Sequence, residues 1–346
     1  MKVQIVASSG SQRETGSRGP TRIKCVLFAV CGEPIQDGLA RTMITEIPAS
    51  KDFEDSGIGF LNHAWCDAMD ILLAFDDSGF DDTSTFDVER EEFWQATQRQ
   101  LTTAAALAQQ GTELLLKARI ASVSPFLLFS GDPQKWPAGS AQKDMAFADF
   151  RTIDAQDLIR VHDTVWSSRV SDQFRQRFEE FRKLRNSFFH TVDHRIKVKA
   201  DDLIRLILLT SHDLIGSQQW LSQRRKRLTG CSDGFSDGDC MPCVMTRELH
   251  KLISILTSSE LLTHIGFHRK IRRYTCQACK WRCADWSIET NCAQLVPNTP
   301  GSTNLHCFAC GQNTTVVRED CGKNGCKSNV IDPEYGCCIC GEEGDA

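Results

Sequence analysis

Fourteen of the 17 cysteines lie at or beyond Cys231, and this crowding constrains the chain more than any other feature. Cys276-Gln-Ala-Cys279 and Cys307-Phe-Ala-Cys310 form C-x2-C-x27-C-x2-C. Cys321, Cys326, Cys337 and Cys340 follow as C-x4-C-x10-C-x2-C, with Cys338 competing with Cys337 as a ligand. Each C-x2-C puts two thiolates on one tight turn, and two such turns complete a tetrahedron around Zn2+. Gly311, directly after Cys310, suits the turn that aims backbone N–H groups at sulfur. The expectation is two tandem zinc-ribbon modules, at 276–310 and 321–340, holding two structural zinc ions. Four thiolates per ion leave no position open for water, and the metal stabilises a segment too loop-rich to fold alone.

Cys231, Cys240, Cys243, Cys283 and Cys292 stand outside these sets. Eight residues separate Cys231 from Cys240 and Cys283 from Cys292, which admits a third shared site. Cys240-Met-Pro-Cys243 also has the form of a redox C-x-P-C at a helix start. No strand–helix–strand pattern surrounds it, so zinc or plain structure is the simpler reading. An odd cysteine total with clustered C-x2-C pairs indicates metal binding in a reducing compartment, not a disulfide framework.

The composition is 41% hydrophobic and 25% charged, ordinary for a folded chain with a core. Forty-five acidic against 40 basic residues give −5, so any nucleic acid must be met by a local patch. No apolar run reaches the ~18 residues of a membrane span. Residues 1–12 lack the apolar stretch of a signal peptide, which makes the expected location cytoplasmic. There is no G-x4-G-K-[ST] phosphate loop and no H-E-x-x-H zinc-protease motif.

The pattern upstream of the cysteines is helical. Residues 1–90 form a poorly defined N-terminal region, with a mobile tail over about 1–20, one candidate strand at 22–31 and a short candidate helix at 62–75. The aspartate-rich stretch from Asp76 to Asp87 looks like a linker. Helices are predicted from Phe93 to Val123, where Pro125 stops the first. A second starts at the N-cap Asp154 and runs through Leu158, Val161, Val165 and Trp166. A third covers Ser171 to Thr191, a fourth Asp201 to Arg227, and a fifth Cys243 to Thr263. The chain is therefore expected to be mainly α, with an antiparallel bundle over 91–228 and a cysteine-rich region over 229–346.

The third helix, SDQFRQRFEEFRKLRNSFFHTVD, carries the most information. At ~100° per residue, Phe174, Phe178, Phe181 and Phe188 form its core stripe, flanked by Leu184 and Phe189. Arg185 falls inside that stripe and must reach a partner or an interface, because an unpaired buried cation is costly. Glu179, Lys183, Asn186 and His190 share another face.

Arg185-Asn186-Ser187-Phe188-Phe189-His190 resembles the R-N-x-x-x-H form of the motif that marks the HEPN superfamily. The upstream Gly111-Thr-Glu-Leu-Leu-Leu-Lys-Ala-Arg-Ile, with Ser124-Pro-Phe-Leu-Leu-Phe, resembles a second hallmark stretch of many prokaryotic members. The similarity covers residues 90–220 and leaves out the N-terminal region and the cysteines. It implies a four- or five-helix bundle and a metal-independent endoribonuclease, acting as a toxin or in antiphage defence. It also implies a homodimer built through the helix carrying Arg185 and His190, with an antitoxin or sensor as a further partner.

The chemistry suits these residue types. RNA supplies its own nucleophile, the 2′-hydroxyl, and His190 titrates near neutrality and can move the proton. Arg185 would neutralise charge on the scissile phosphate, and Asn186 would bind a phosphate oxygen or orient His190. The products would be 2′,3′-cyclic phosphate and 5′-hydroxyl ends. Asp154 and Glu179 are acidic candidates for support. The structural alternative pairs Arg185 with a glutamate and leaves His190 at its helix end, where a cation is favoured. Two binding readings compete: a non-catalytic nucleic-acid-binding adaptor, and a DNA-directed regulator whose ribbons specify sequence. The basic runs 224–227 and 268–274 suit backbone contact by RNA or DNA, or else a solvated, salt-bridged helix end.

Overall fold

The structure is a computed structural model. It describes residues 43–80, 86–132, 134, 136–140, 142–191, 197–230 and 241–341, without the side chains of 189–191 and 230. The expected tail at 1–20 and strand at 22–31 lie outside these residues, and Thr42–Ala346 forms one compact unit. The unit is mainly helical.

Helices α1 (Ser50–Asp77) and α2 (Asp87–Val123) pair antiparallel along most of their length. Ser50 Oγ donates to the Ala118 carbonyl at 2.8 Å, and Gln100 Nε2 to Asp67 Oδ1 at 3.1 Å. Between these points the two backbones touch. A Cβ on Gly57 would lie 3.0 Å from the Gly111 carbonyl oxygen, and one on Gly111 would lie 2.8 Å from that of Gly57. Only glycine at both positions permits that approach. The bundle therefore begins at Ser50, upstream of the expected boundary at 90/91, and the candidate helix at 62–75 is the middle of α1.

Helix α2 stops at Val123, and Pro125 opens a short 3-10 turn. Helix α3 (Ala155–Val165) starts after Asp154, whose carboxylate binds Arg151 instead of capping the helix. Helices α4 (Asp172–Thr191) and α5 (Ala200–Leu214) complete the layer around α2. Phe174, Phe178 and Phe181 of α4 are buried as their spacing requires, beside Leu203, Ile204 and Ile207 of α5.

Two expected helices are each divided. The stretch from Asp201 to Arg227 breaks at Gly216, whose positive φ and N–H on the Ser211 carbonyl close α5. Helix α6 (Trp220–Gly230) then restarts, and Trp220 packs its ring 5.3 Å from that of Trp65. The stretch from Cys243 to Thr263 breaks after α7 (Met241–Ile255), where Thr257 and Glu260 bond each other's backbone N–H in a capping box. That box opens the short α8 (Ser258–Glu260).

His162 of α3 is fully buried. Its Nδ1 donates to Asp163 Oδ1 at 2.9 Å, and Arg119 Nη1 donates to its Nε2 at 3.4 Å. Burial, aided by the Arg119 charge, pushes its pKa below the ordinary histidine value against the pull of Asp163. The unfolded chain then takes the proton first, so stability is whole above pH ~6.5 and declines as the pH falls below it. Melting should occur at lower temperature at pH 5.5 than at pH 7.5. His162→Gln should reduce that difference, and an equal drop in both proteins would sink the assignment.

Strands β1 (Ile44–Thr45) and β2 (Met145–Ala146) pair in parallel, with Ile44 opposite Met145. Beyond α8 the chain forms small sheets without leaving the core. Strands β3 (Ala293–Leu295), β4 (Asn304–Cys307) and β5 (Asn313–Thr315) make an antiparallel sheet, with Ala293 opposite Cys307 and Leu305 opposite Thr314. β6 (Ile331–Asp332) and β7 (Gly336–Cys337) make a second antiparallel pair. A single apolar cluster runs from Leu61 and Leu116 through Met245 and Phe267 to Leu305 and Val330.

Candidate metal centres and the Arg185 face

Cys276 caps the short helix α9 (Gln277–Arg282), which carries Cys279, while Cys307 ends β4 and Cys310 lies in the turn after it. These four sulfurs lie within 4.8 Å of one another, with Cys276–Cys310 and Cys279–Cys307 each at 3.8 Å. A tetrahedron with Zn–S bonds of about 2.3 Å has edges of about 3.8 Å, so the cage has the right size. Gly311 takes φ +78°, the turn expected after Cys310, but its N–H bonds the Cys307 carbonyl instead of a sulfur.

Cys321, Cys326, Cys337 and Cys340 form the second group, with Cys321–Cys340 at 3.5 Å and Cys326–Cys337 at 3.8 Å. Burial opposes ionisation of Cys337. Hydrogen bonds from the Cys340 and Ile339 backbone and from Ser328 outweigh it and hold this thiol at about 6. Cys337 thus favours thiolate, the form a metal needs, whereas against backbone hydrogen bonds, burial and the neighbouring thiols push Cys321 and Cys326 up. Gly341 repeats the glycine turn at φ +72°. Cys338 lies outside the group, and burial pushes its thiol up to about 12. The two groups are joined, since Thr275 donates its N–H to the Cys338 carbonyl at 2.8 Å. Each group is close enough to hold one metal ion.

Of the remaining cysteines, Cys231 and Cys240 lie outside the described residues, so neither the shared third site nor the C-x-P-C pair is observed. Cys243 is buried against the Arg282 carbonyl at 3.5 Å. Cys283 and Cys292 are buried, which pushes both thiols up to about 12. Cys292 lies 3.8 Å from His250 Nε2.

The basic run 224–227 is mostly consumed inside the protein. Arg224 pairs with Glu248 at 2.8 Å, both buried, and Arg224 also donates to Asn62. Trp65 Nε1 donates to the other oxygen of Glu248 at 3.0 Å. Arg225 donates to the Phe308 and Ala309 carbonyls and lies against Gly311, so it clamps α6 onto the turn that carries Cys307 and Cys310. Arg227 binds the Asp55 carbonyl, leaving Lys226 exposed. In the run 268–274, Arg269 caps the end of α7 through the Ile253 and Leu256 carbonyls. Arg272 binds the Lys327 carbonyl, and His268 and Lys270 are exposed.

Arg185 finds the partner its position demands. Its Nη2 lies 3.7 Å from Glu113 Oε1, in the stretch Gly111–Ile120 of α2. Glu113 is buried and accepts a hydrogen bond from Gln109 at 3.2 Å. Gln109 Oε1 and Arg185 Nε are both buried without a hydrogen-bond partner among the described residues. Asn186 is half-buried on the next position, and His190 belongs to α4, but its side chain lies outside the described residues. Glu179 binds Arg182 on its own helix, and Asp154 binds Arg151, so neither supports Arg185.

No family model matches the chain, and comparisons with curated proteins and with solved structures return no match.

The sequence singled out neither Gln109 nor Glu113, and it placed Arg225 only within a basic run suited to nucleic acid. Glu113 does have a local signature, because it lies beside Thr112 and Leu116 on the buried side of α2, where a carboxylate needs a cation. Arg225 has none, since its acceptors are carbonyls 83 and 84 residues away.

Proposed function

We infer that this chain is a metal-independent endoribonuclease of HEPN type with two structural zinc ions. The observation that carries the reading is the Arg185–Glu113 contact, which joins the two segments that resemble the family. Arg185 stays partly exposed beside this carboxylate, so its guanidinium can turn to a phosphate. His190 takes the 2′-hydroxyl proton, the 2′-oxygen attacks phosphorus, and the 5′-oxygen leaves with a proton from the second His190 of a homodimer. Asn186 holds a phosphate oxygen. The zinc assignment rests on the two cages of four thiolates, whose size and chemistry suit that ion. A role as a toxin or in antiphage defence, checked by an antitoxin or sensor, follows from the same resemblance, and a cytoplasmic location follows from the cysteine usage.

The test is cleavage of end-labelled RNA in EDTA by wild type, His190→Ala and Arg185→Ala. Both variants should lose at least about a hundredfold in rate, and wild type should leave cyclic-phosphate ends. Equal cutting by all three proteins would remove the assignment. One observation favours a second reading: Glu113 already pairs with the Arg185 charge without any substrate, as in a non-catalytic nucleic-acid-binding adaptor. Salt-sensitive RNA binding with no cutting by folded, zinc-loaded wild type would select it.

A further inference from the structure

Trp281 is 77% exposed, an unusual position for the largest apolar side chain. It follows Lys280 on α9. With Tyr335, itself 43% exposed, it lines a cleft of about 560 Å3 whose floor includes Gln277 and Ile288. Lys280 is the only charged side chain lining this cleft among the described residues, while the Tyr335 hydroxyl donates a hydrogen bond to Glu334 at its rim. A neighbouring cleft shares Lys280 and Ile288 and adds Arg273 and the exposed Ile339, against one carboxylate, Glu289. Glu289 accepts a hydrogen bond from Asn291 at 3.1 Å. Aromatic faces thus lie on one side of Lys280 and a further cation on the other.

Both rings stand on anchored elements, Trp281 on α9 and Tyr335 on a turn. Trp281 is two residues beyond Cys279, and the Tyr335 backbone N–H bonds Asp332 Oδ1 between β6 and β7. Thr275 and Gln277 tie the two elements together through the Cys338 and Cys337 carbonyls. Presenting rings this way costs little ordering on binding.

We propose that this double cleft binds a single-stranded nucleic acid, with bases stacked on Trp281 and Tyr335 and phosphates along Lys280 and Arg273. Flat apolar faces beside cations match the alternation of base and phosphate, and stacking on aromatic rings tolerates any base. The surface differs from the basic runs 224–227 and 268–274, with Arg273 alone in common. The proposal shares nucleic acid as the partner with the functional reading above, and it does not depend on cutting.

The test is fluorescence anisotropy of labelled single-stranded RNA, single-stranded DNA of the same sequence, and the duplex. The full zinc-loaded chain is used in a His190→Ala background, so that binding is read without cleavage. Trp281→Ala and Tyr335→Ala should each weaken single-strand binding about tenfold. Lys280→Glu should weaken it and flatten its salt dependence, with metal content and circular dichroism unchanged in all three. RNA and DNA that bind alike assign the cleft to strands in general, and an RNA preference assigns it to the substrate. Affinity unchanged in the Trp281→Ala/Tyr335→Ala double variant, a preference for duplex, or no saturable strand binding would overturn the proposal. Capture of an acidic peptide instead of a strand would also overturn it. Cleavage by wild type with an unaltered rate in Trp281→Ala would sink the cleft and spare the RNase, while strand binding without cleavage does the reverse.

Discussion

Cys276→Ser should cost the protein one of its two metal ions and the order of the chain beyond α8. Apparent binding energies of structural zinc run to about 10 kcal/mol or more, and in small modules that energy is the folding energy. Cys276 belongs to a four-sulfur cage, and Thr275 next to it ties the second cage to the first. The damage should also spread into the helices, because Arg225 holds α6 against carbonyls that exist in place only when the Cys307–Cys310 turn is formed. Native mass spectrometry would count the ions, and limited proteolysis would report the loosened region. Cys338→Ser is the matched control, buried beside the second cage but outside it, and should keep both ions. Retention of both ions and full protease resistance by Cys276→Ser would refute the cage.

The second large effect is expected at Glu248. Its carboxylate receives Arg224 at 2.8 Å and Trp65 at 3.0 Å in a site almost closed to water. Glu248→Ala strands the Arg224 guanidinium with Asn62 as its remaining partner of note, which costs about 3–5 kcal/mol. For a unit of this size that corresponds to a melting temperature lower by roughly 10 °C. Replacing both partners, Arg224→Met with Glu248→Leu, removes the stranded charge and should recover much of the loss. Thermal melts of the two singles and the double close the cycle. A single variant within about 1 kcal/mol of wild type would show that water reaches the pair and screens it.

How much of this was legible beforehand depended on the distance between partners along the chain. The two cysteine groups were legible residue by residue, because C-x2-C is a local turn and the structure brings together the eight cysteines that the spacing pairs. The Phe174, Phe178 and Phe181 stripe was legible for the same reason. The breaks at Gly216 and at Thr257-Ser-Ser-Glu260 were also in the sequence as a glycine stop and a capping box, but apolar periodicity on either side masked them. Helix α1 was seen only in part, because its buried face includes Gly57, Ala64 and Ala68, residues too small to register as a hydrophobic stripe. The run Arg224-Arg-Lys-Arg227 misleads most. Its outward look as a cationic patch follows from composition, whereas its partners Glu248, Asn62, Phe308 and Asp55 come from three distant segments. No local pattern carries that information.

The glycine crossing of α1 and α2 acts as a caliper for the Arg185 face. Two helices held by apolar side chains alone can slide along their axes to neighbouring registers at small cost. Here one register alone places Gly57 against Gly111, and a shift of one residue would force Ile58 or Thr112 into a gap that admits no side chain. Glu113 lies two residues past that stop, so its height along α2 is set by a contact between atoms that take no part in the ion pair. The reach of Arg185 is thereby fixed from the opposite side of the bundle, with the helix backbone as the ruler.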